Sequence, residues 1–274
     1  MRLIGCDFSS APTARKPIVV ALGASGDGVV ELHGFECFPS LDAWGRWLAE
    51  TPQWVGAFDF PFGLPRELVV ELGWPSEWKP LIEHYTAIER ARIRDTFAAF
   101  CAARPAGGKF AHRATDRPAG SSPSMKWVNP PVAFMLHAGV PRLIEAGASL
   151  PGLHVRAEGG SRIALEGYPG LLARELVGRR SYKSDQAASQ SAARRWVRSE
   201  LLAALERGSS RLGLRLVLPE GLRDRMVDDA KGDFIDAVLC LMQAAWGVAR
   251  HASAGPGYGL PPDIDPLEGW IVTA

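Results

Sequence analysis

Residues 3–11 read LIGCDFSSA, an apolar run that ends at Asp7 and is followed by small and polar residues. The segment from Arg2 to Asp7 has the length and composition of a buried β-strand. In open α/β sheets, ligands bind beyond the carboxyl ends of the parallel strands. We therefore interpret this stretch as the first strand of an α/β sheet and Asp7 as a candidate site residue.

The segments that follow predict an antiparallel meander joined to a parallel crossover. Pro17–Gly23 and Val29–Phe38 have strand patterns, and the intervening SGDG is typical of a tight hairpin turn. Ser40 is a suitable N-cap for a helix from Leu41 to Glu50. The next strand, in WVGAFDFPFGLP, ends at Asp59 before a series of Pro and Gly residues. A strand, a helix and a strand in this order indicate a parallel pair.

Residues 73–131 interrupt this regular pattern. They contain one predicted helix, EHYTAIERARIRDTFAAFCAA, and then a stretch rich in Gly, Pro and Ser. Loops of this length are uncommon in compact domains unless they are functional or mobile. We interpret the chain as a single domain over residues 1–274, with an insertion or lid at about 73–131.

The second half of the chain alternates helices and strands. In order, the pattern predicts a helix near Val132–Ala146, a strand RIALEGYP with Glu166 at its end, a helical region from Asp185 to Arg207, a short strand LRLVLP, a last long helix from about Met226 to Arg250, and GWIV as an edge strand.

Three acids share one position in their strands. Asp7, Asp59 and Glu166 each end an apolar strand just before a turn. If the strands of Asp7 and Asp59 are adjacent, their carboxylates lie close together. The alternative is a structural role, in which Asp7 and Asp59 bind a backbone turn and Glu166 pairs with a nearby arginine.

Three more acids follow near the C-terminus. Asp229, Asp233 and Asp236 are spaced so that a helix would place them on one face, where their mutual repulsion calls for a cation. Mg²⁺ binds a few carboxylates, waters and phosphate oxygens, and needs neither His nor Cys. Two such ions can promote phosphodiester hydrolysis. The alternative reading of Asp228 and Asp229 is that they are acids favoured at a helix N-terminus.

Positive charge is concentrated in two segments, although the whole chain carries only +1. Residues 79–126 have an excess of five positive charges and residues 174–215 an excess of six. Such segments can attract an anionic substrate or can be solvated helices and loops. Arg can hold phosphate in bidentate geometry, and Lys acts as a point charge. The candidate substrate-binding residues are Lys109, His112, Arg113, Arg117, Lys126 and Lys183. For Lys109, His112, Arg113 and Arg117 the alternative is a solvated mobile loop. For Lys183 the alternative is a helix-capping role.

The remaining composition indicates an ordinary soluble protein. The four cysteines, Cys6, Cys37, Cys101 and Cys240, have no CxxC spacing, which favours reduced thiols over zinc or disulfides. No apolar run approaches the ~20 residues of a membrane helix. The N-terminus lacks the pattern of a secretory signal. We expect a cytoplasmic location and no membrane partner.

The order of these features resembles the ribonuclease H-like superfamily, and GDFIDAVLC resembles the last-helix motif of Holliday-junction resolvases. More closely, the chain is similar to the bacterial family called domain of unknown function 429, which consists of predicted nucleases. The similar blocks are GCDFSSAP, FDFPFGLP, HRATDRP, SPSMKWVNPPV, ALEGYPG, SYKSD, GDFIDAVLCLMQAAW and DPLEGWIV. The resemblance implies a mixed sheet of order 3-2-1-4-5, with three antiparallel strands followed by parallel strands, flanked by helices.

The same resemblance implies a site and a reaction. Asp7, Asp59, Asp233 and Asp236 would bind Mg²⁺ or Mn²⁺, and Glu166 is a further acid of the family. Asp7, Asp59, Glu166 and Asp236 would be the catalytic residues of a nuclease acting on DNA or RNA.

Two other functions remain open at this point. The small hydroxyl residues after Asp7 in DFSS resemble the phosphate loop of actin-like or sugar-kinase-type ATP phosphotransferases. Such enzymes usually carry a duplicated core with a second phosphate loop, which is not clear in this sequence. The other alternative is a non-catalytic nucleic-acid-binding module of the same fold.

Overall fold

Among the residues that the structure describes, the sheet has six strands. A computed structural model describes residues 1–156, 160–251 and 257–274. The strands are β1 (Leu3–Asp7), β2 (Ile18–Gly26), β3 (Val29–Phe38), β4 (Trp54–Phe58), β5 (Arg162–Glu166) and β6 (Arg215–Val217). They lie in the order β5-β4-β1-β2-β3-β6. β2 is antiparallel to both of its neighbours, β1 and β3, whereas β4 is parallel to β1, β5 to β4, and β6 to β3.

Local sequence explains the first half of this sheet. Asp27 and Gly28 have positive φ angles of 49° and 75°, as a two-residue turn between β2 and β3 requires. Helix α1 (Leu41–Glu50) starts at Ser40, whose side chain accepts a hydrogen bond from the Ala43 N–H. The predicted meander, α1 and the parallel return to β4 are therefore confirmed.

The mixed sheet flanked by helices is also confirmed, but it is larger than the five-stranded arrangement expected from the sequence. β6 pairs with β3 over Val29–Glu31 and extends the sheet beyond it. The predicted edge strand GWIV forms only an isolated parallel bridge between Ile271 and Glu166.

Helices cover both faces of the sheet. They are α2 (Arg66–Glu71), α3 (Trp78–Ala87), α4 (Arg90–Ala102), α5 (Asp116–Ala119), α6 (Val132–Glu145), α7 (Pro169–Val177), α8 (Ala192–Glu206), α9 (Leu222–Asp228) and α10 (Asp233–Ala249). Successive residues of a strand point to opposite faces. Accordingly, Ile4 belongs to a core shared with α1, α3, α4 and α6, whereas Leu3 belongs to a second core shared with α7, α8, α9 and α10.

The segment interpreted as an insertion packs into the first of these cores. Tyr85, Phe97 and Met125 are fully buried there. The prediction of a single helix over residues 83–103 is wrong. Ile88 and Glu89 are extended, with ψ angles of 132° and 144°, and they separate α3 from α4.

Two helix predictions in the second half need correction. The region from Asp185 to Arg207 contains a 3-10 turn at Ala187–Ser189 before α8 begins. The last long helix begins at Asp233 and not at Met226, because Gly232 adopts a φ of 78° and interrupts the helix after α9.

Asp228 and Asp229 therefore lie outside α10. The Asp229 carboxylate accepts hydrogen bonds from the backbone N–H groups of Lys231 and Phe234, each at 3.1 Å. Asp228 pairs with Arg195 at the surface. Asp229 thus stabilises the turn and the first residues of α10, close to the structural alternative expected for it. In the described part of the chain, no helix is long and apolar enough to cross a membrane.

Candidate active site

Asp7 and Asp59 lie at the ends of two adjacent parallel strands. Cys6 on β1 is the register partner of Phe58 on β4. The Asp59 N–H donates a hydrogen bond of 3.0 Å to the Cys6 carbonyl. Both aspartates are half-buried at this edge of the sheet. β1 and β4 are therefore adjacent and parallel, which is the condition on which the proximity of Asp7 and Asp59 was predicted.

Helix α10 approaches β1 closely because Gly5 has no side chain. A Cβ atom at Gly5 would lie 2.1 Å from both the Ala237 carbonyl oxygen and the Leu241 nitrogen. Asp233 and Asp236 occupy the first turn of α10, and only 1% of the surface of Asp236 is exposed. The close contact between α10 and β1 is what brings the C-terminal acids to the N-terminal strand.

The charges of these carboxylates interact across β1, the end of β4 and the first turn of α10. Burial, Asp236 and then Asp233 raise the pKa of Asp7 well above its usual value. Burial and then Asp236 raise the pKa of Asp59 to about 7. Burial and then Asp229 raise the pKa of Asp233 to about 6. We refer to Asp7, Asp59, Asp233 and Asp236 as the acid cluster.

Two residues of one loop bind the carboxylate of Asp236. The Tyr182 hydroxyl donates to Oδ1 at 2.5 Å, and the Lys183 ammonium donates to Oδ2. Burial alone would lower the pKa of Lys183, but Asp236 and Asp7 hold it well above its usual value. Lys183 therefore remains charged and partly neutralises the acid cluster.

The acid cluster fits a hard divalent cation by its chemistry, although its side chains are not arranged around a common point. Among the residues that the structure describes, no three Asp, Glu, His or Cys side chains are positioned to hold a metal ion together. All four members nevertheless supply carboxylate oxygens, the ligands that Mg²⁺ and Mn²⁺ prefer. One of them, Asp236, would have to exchange its contact with Lys183 for a metal. Metal binding stays a prediction.

Glu166 lies at the neighbouring strand end but is engaged elsewhere. Both of its oxygens accept hydrogen bonds from the Arg113 guanidinium, at 2.8 and 2.7 Å, and Oε2 also accepts one from the Phe62 N–H at 2.9 Å. The salt-bridge alternative for Glu166 thus describes its position. A direct catalytic role for this acid has no support in these contacts.

Arg113 is the centre of this buried network and is not free to bind a substrate. Its side chain is 2% exposed and also donates to Asp116 Oδ1 at 2.9 Å. Burial alone would lower the pKa of Arg113, but Glu166 and Asp116 raise it, so the guanidinium stays charged. Arg113 also donates to the Glu268 carbonyl, which ties the insertion to the C-terminal segment.

A cavity of about 610 Å³ lies beside the acid cluster. Asp59 and Lys183 line it and belong to both places. Its other walls come from the segments after β4 and β5, the C-terminal part of the insertion, helices α6 and α7, and the loop after α7. The lining outside the acid cluster includes Phe60, Ser121, Tyr168, Arg174, Arg179 and Arg180.

The remaining predicted substrate-binding residues lie elsewhere. Lys109, His112 and Arg117 line a second cavity of about 570 Å³. Lys126 donates to the Asn129 carbonyl at 2.5 Å and is absent from the lining of either cavity. Of the six predicted residues, only Lys183 and the buried Arg113 line the cavity beside the acid cluster.

Sequence reasoning missed several residues that the structure places at the site. Tyr182 bonds Asp236, and Tyr168, Arg174, Arg179 and Arg180 line the cavity. The arginines were counted in the basic segment 174–215 but not selected, because nothing local to the sequence separates them from surface helix charges. The adjacency of Tyr182 to Lys183 in SYKSD was the only available signal for the tyrosine.

Comparison with known proteins adds no assignment. No protein-family model, no curated protein and no solved structure matches the chain. The resemblance to the predicted nucleases therefore stays a prediction. Conclusions about activity have to rest on the acid cluster and its cavity.

Proposed function

We propose that the chain is a divalent-metal-dependent phosphodiesterase that hydrolyses nucleic acid, with a ribonuclease H-like fold of the kind expected for domain of unknown function 429. The observation that carries the proposal is the acid cluster, in which the charge of Asp236 on α10 adds to burial in raising the pKa of Asp7 on β1 and of Asp59 at the end of β4. A purely structural set of acids would each be expected to have its own basic or backbone partner. Among the residues that the structure describes, Lys183 is the one cation that forms an ion pair with a member of the cluster.

The topology around the cluster supports the fold named in the proposal. The first five strands lie in the order β3-β2-β1-β4-β5, and α10 packs against the central strand β1. In this arrangement the first strand and the last long helix contribute acids to one place. This placement supports the proposed resemblance of the GDFIDAVLC segment to the last-helix motif of the resolvases.

Asp7, Asp59, Asp233 and Asp236 would hold Mg²⁺ or Mn²⁺. The metal would supply Lewis-acid stabilisation of a phosphoryl oxygen and activation of a water molecule. Lys183 would leave Asp236 on metal binding and could then contact a substrate phosphate as a point charge. Arg113 holds Glu166 and the insertion in place, so that the walls of the cavity keep their position relative to the acids.

The direct test is an activity assay with a matched acid control. Purified protein is incubated with Mn²⁺ and labelled single-stranded, hybrid and branched oligonucleotides, and Mn²⁺ binding is measured by calorimetry. We expect cleavage that falls by about 100-fold or more in Asp7→Asn, since loss of even an outer-shell partner of a metal ligand typically costs about 10- to 100-fold and Asp7 would bind the metal directly. Asp224→Asn, at an exposed position of α9, should cleave like the wild type.

Each other outcome identifies a different function. If the protein binds no Mn²⁺ and cleaves nothing, the proposal is wrong. Nucleic-acid binding that persists in Asp7→Asn without any cleavage by the wild type would favour a non-catalytic binding module. A rise in melting temperature on adding ATP would favour a phosphotransferase instead.

A further inference from the structure

We infer that the cavity beside the acid cluster takes unpaired nucleotides, either a single strand or the frayed end of a duplex, and not the body of a double helix. This inference rests on the proposed function, because it assigns the substrate class of the same site. It is carried by the size of the cavity, the chemistry of its walls, and the residues it shares with the acid cluster.

The cavity has the volume of a pocket for a small unit. Its volume is about 610 Å³. Pockets for small molecules range from about 300 to 1,000 Å³. Ser121, Ser122 and Pro130, from the C-terminal part of the insertion, line one side of the cavity. The loop after α7 lines another side. Enzymes that act on a nucleotide inside such a pocket take it out of the base stack first.

The interior of this pocket suits a nucleobase. Apolar side chains, among them Val132, Met135 and Val177, form a large part of its lining. The ring of Tyr168 is half-buried in the lining, and the Arg174 guanidinium lies 5.3 Å from its centroid. Aromatic and guanidinium planes stack on bases with little sequence preference. Paired bases inside a duplex do not present these faces.

The loop after α7 supplies positive charge to the same pocket. Arg179, Arg180 and Lys183 all line the cavity and are exposed. Arg180 pairs with Glu200. Within the described ranges, Arg179 makes no hydrogen bond or ion pair and is available to a phosphate. Glu166 also lines the cavity, but its negative charge is neutralised by Arg113 and repels a phosphate less than its presence indicates.

The pocket and the acid cluster meet at two residues. Asp59 contributes to both, and Lys183 contacts Asp236 while lining the cavity. A strand whose base enters the pocket and whose phosphates contact Arg179 would therefore carry a phosphodiester past the acids. The second cavity, with Lys109, His112 and Arg117, does not include any member of the acid cluster among its lining residues.

The test is a binding measurement without cleavage. Wild-type protein in EDTA is titrated with fluorescein-labelled 12-nucleotide single strands, a blunt duplex of the same length and sequence, and the duplex with a single-stranded overhang. We expect the single strand and the overhang to bind at least about 10-fold more tightly than the blunt duplex. Equal or tighter binding of the blunt duplex would overturn the inference.

Variants test whether the pocket is responsible. Arg179→Ala should weaken single-strand binding about three- to tenfold, whereas Arg46→Ala, on the exposed face of α1, should leave it unchanged. If Arg179→Ala has no effect and a Lys109→Ala/Arg117→Ala double variant does, the second cavity is the binding site and the inference is wrong. Melting curves confirm that each variant is folded.

The two proposals can fail separately. Preferential single-strand binding without metal-dependent cleavage would leave the substrate class intact and remove the proposed hydrolysis. Metal-dependent cleavage in the middle of blunt duplexes, with duplex binding as tight as single-strand binding, would keep the hydrolysis and remove the substrate class.

Discussion

At the scale of single residues, the buried acids differ in the charges that compensate them within the protein. Glu166 has a complete set of partners in Arg113 and Phe62, and Arg113 is itself held by two carboxylates. Asp236 is bonded by a lysine whose side chain is 43% exposed and by a tyrosine. The first group is a buried structural network. In the proposed function, the second exchanges its partly exposed lysine for a metal ion.

Replacing Lys183 tests two effects of its ammonium group: competition with a metal ion for Asp236, and compensation of the acid cluster when no metal is bound. We expect Lys183→Met to bind Mn²⁺ about tenfold more tightly, or about 1.4 kcal/mol, because the ammonium no longer competes for Asp236. In EDTA the same variant should melt at a lower temperature, because the acids then repel one another without compensation. Calorimetry and thermal denaturation measure the two quantities. Lys79→Met, at an exposed position of α3, should change neither.

Removing Arg113 should damage the fold and not merely the site. Arg113→Met leaves the buried Glu166 and Asp116 without their cation, and breaking a buried pair in this way typically costs about 3–5 kcal/mol. Urea denaturation measures the free energy of unfolding. Arg94→Ala, which breaks an exposed pair with Asp95, should cost less than about 1 kcal/mol. Similar losses in the two variants would show that the network is not structural.

At the scale of elements, the site depends on the contact between β1 and α10. Gly5 permits that contact, and Gly232 fixes where α10 begins. Asp233 and Asp236 consequently occupy its first turn, where the positive end of the helix dipole favours carboxylates and bound anions. A change that moves α10 away from β1 should therefore alter both stability and the acid cluster.

Gly5→Ala provides this test. The added methyl group would lie 2.1 Å from backbone atoms of α10, which cannot rotate away as a side chain could. We expect the free energy of unfolding to fall by about 3 kcal/mol or more, at or above the upper end for overpacking of a core. Mn²⁺ affinity should fall with it. Gly26→Ala, where no atom lies within 4 Å of the added Cβ, should retain both stability and affinity.

The elements also show what could be predicted from sequence. Strand alternation, the SGDG turn and the Ser40 cap are local signals, and β1 to β4 follow from them. The interruptions at Ile88–Glu89 and at Gly232 were missed because the apolar pattern continues across them. The positions of Asp7 and Asp59 followed from parallel strand ends. The partners of Glu166 and the pocket arginines come from segments far apart in sequence, and no local pattern records those contacts.

At the scale of the whole molecule, positive charge is unevenly used. Apart from the buried Arg113, the basic residues of segment 79–126 that line a cavity lie away from the acid cluster, whereas the loop after α7 places Arg179, Arg180 and Lys183 beside it. A substrate held in the pocket would contact only those few cations. A substrate that spans the surface of the insertion would contact many more.

The salt dependence of binding distinguishes these two footprints. For single strands, the slope of log K against log salt is about −0.7 per neutralised phosphate. In EDTA, where Lys183 stays bound to Asp236, contacts of Arg179 and Arg180 to about two phosphates predict a slope of about −1.4. Fluorescence titrations in EDTA between low and physiological salt measure it. A slope steeper than about −5 would mean that the basic segment of the insertion takes part in binding.

The most direct measurement of the central claim is anomalous scattering from crystals soaked in Mn²⁺. The account predicts one or two peaks in contact with the carboxylates of Asp7, Asp59 and Asp236, and movement of the Lys183 ammonium away from Asp236. Well-ordered crystals with no peak at these carboxylates, and with Lys183 still bound to Asp236, would contradict it.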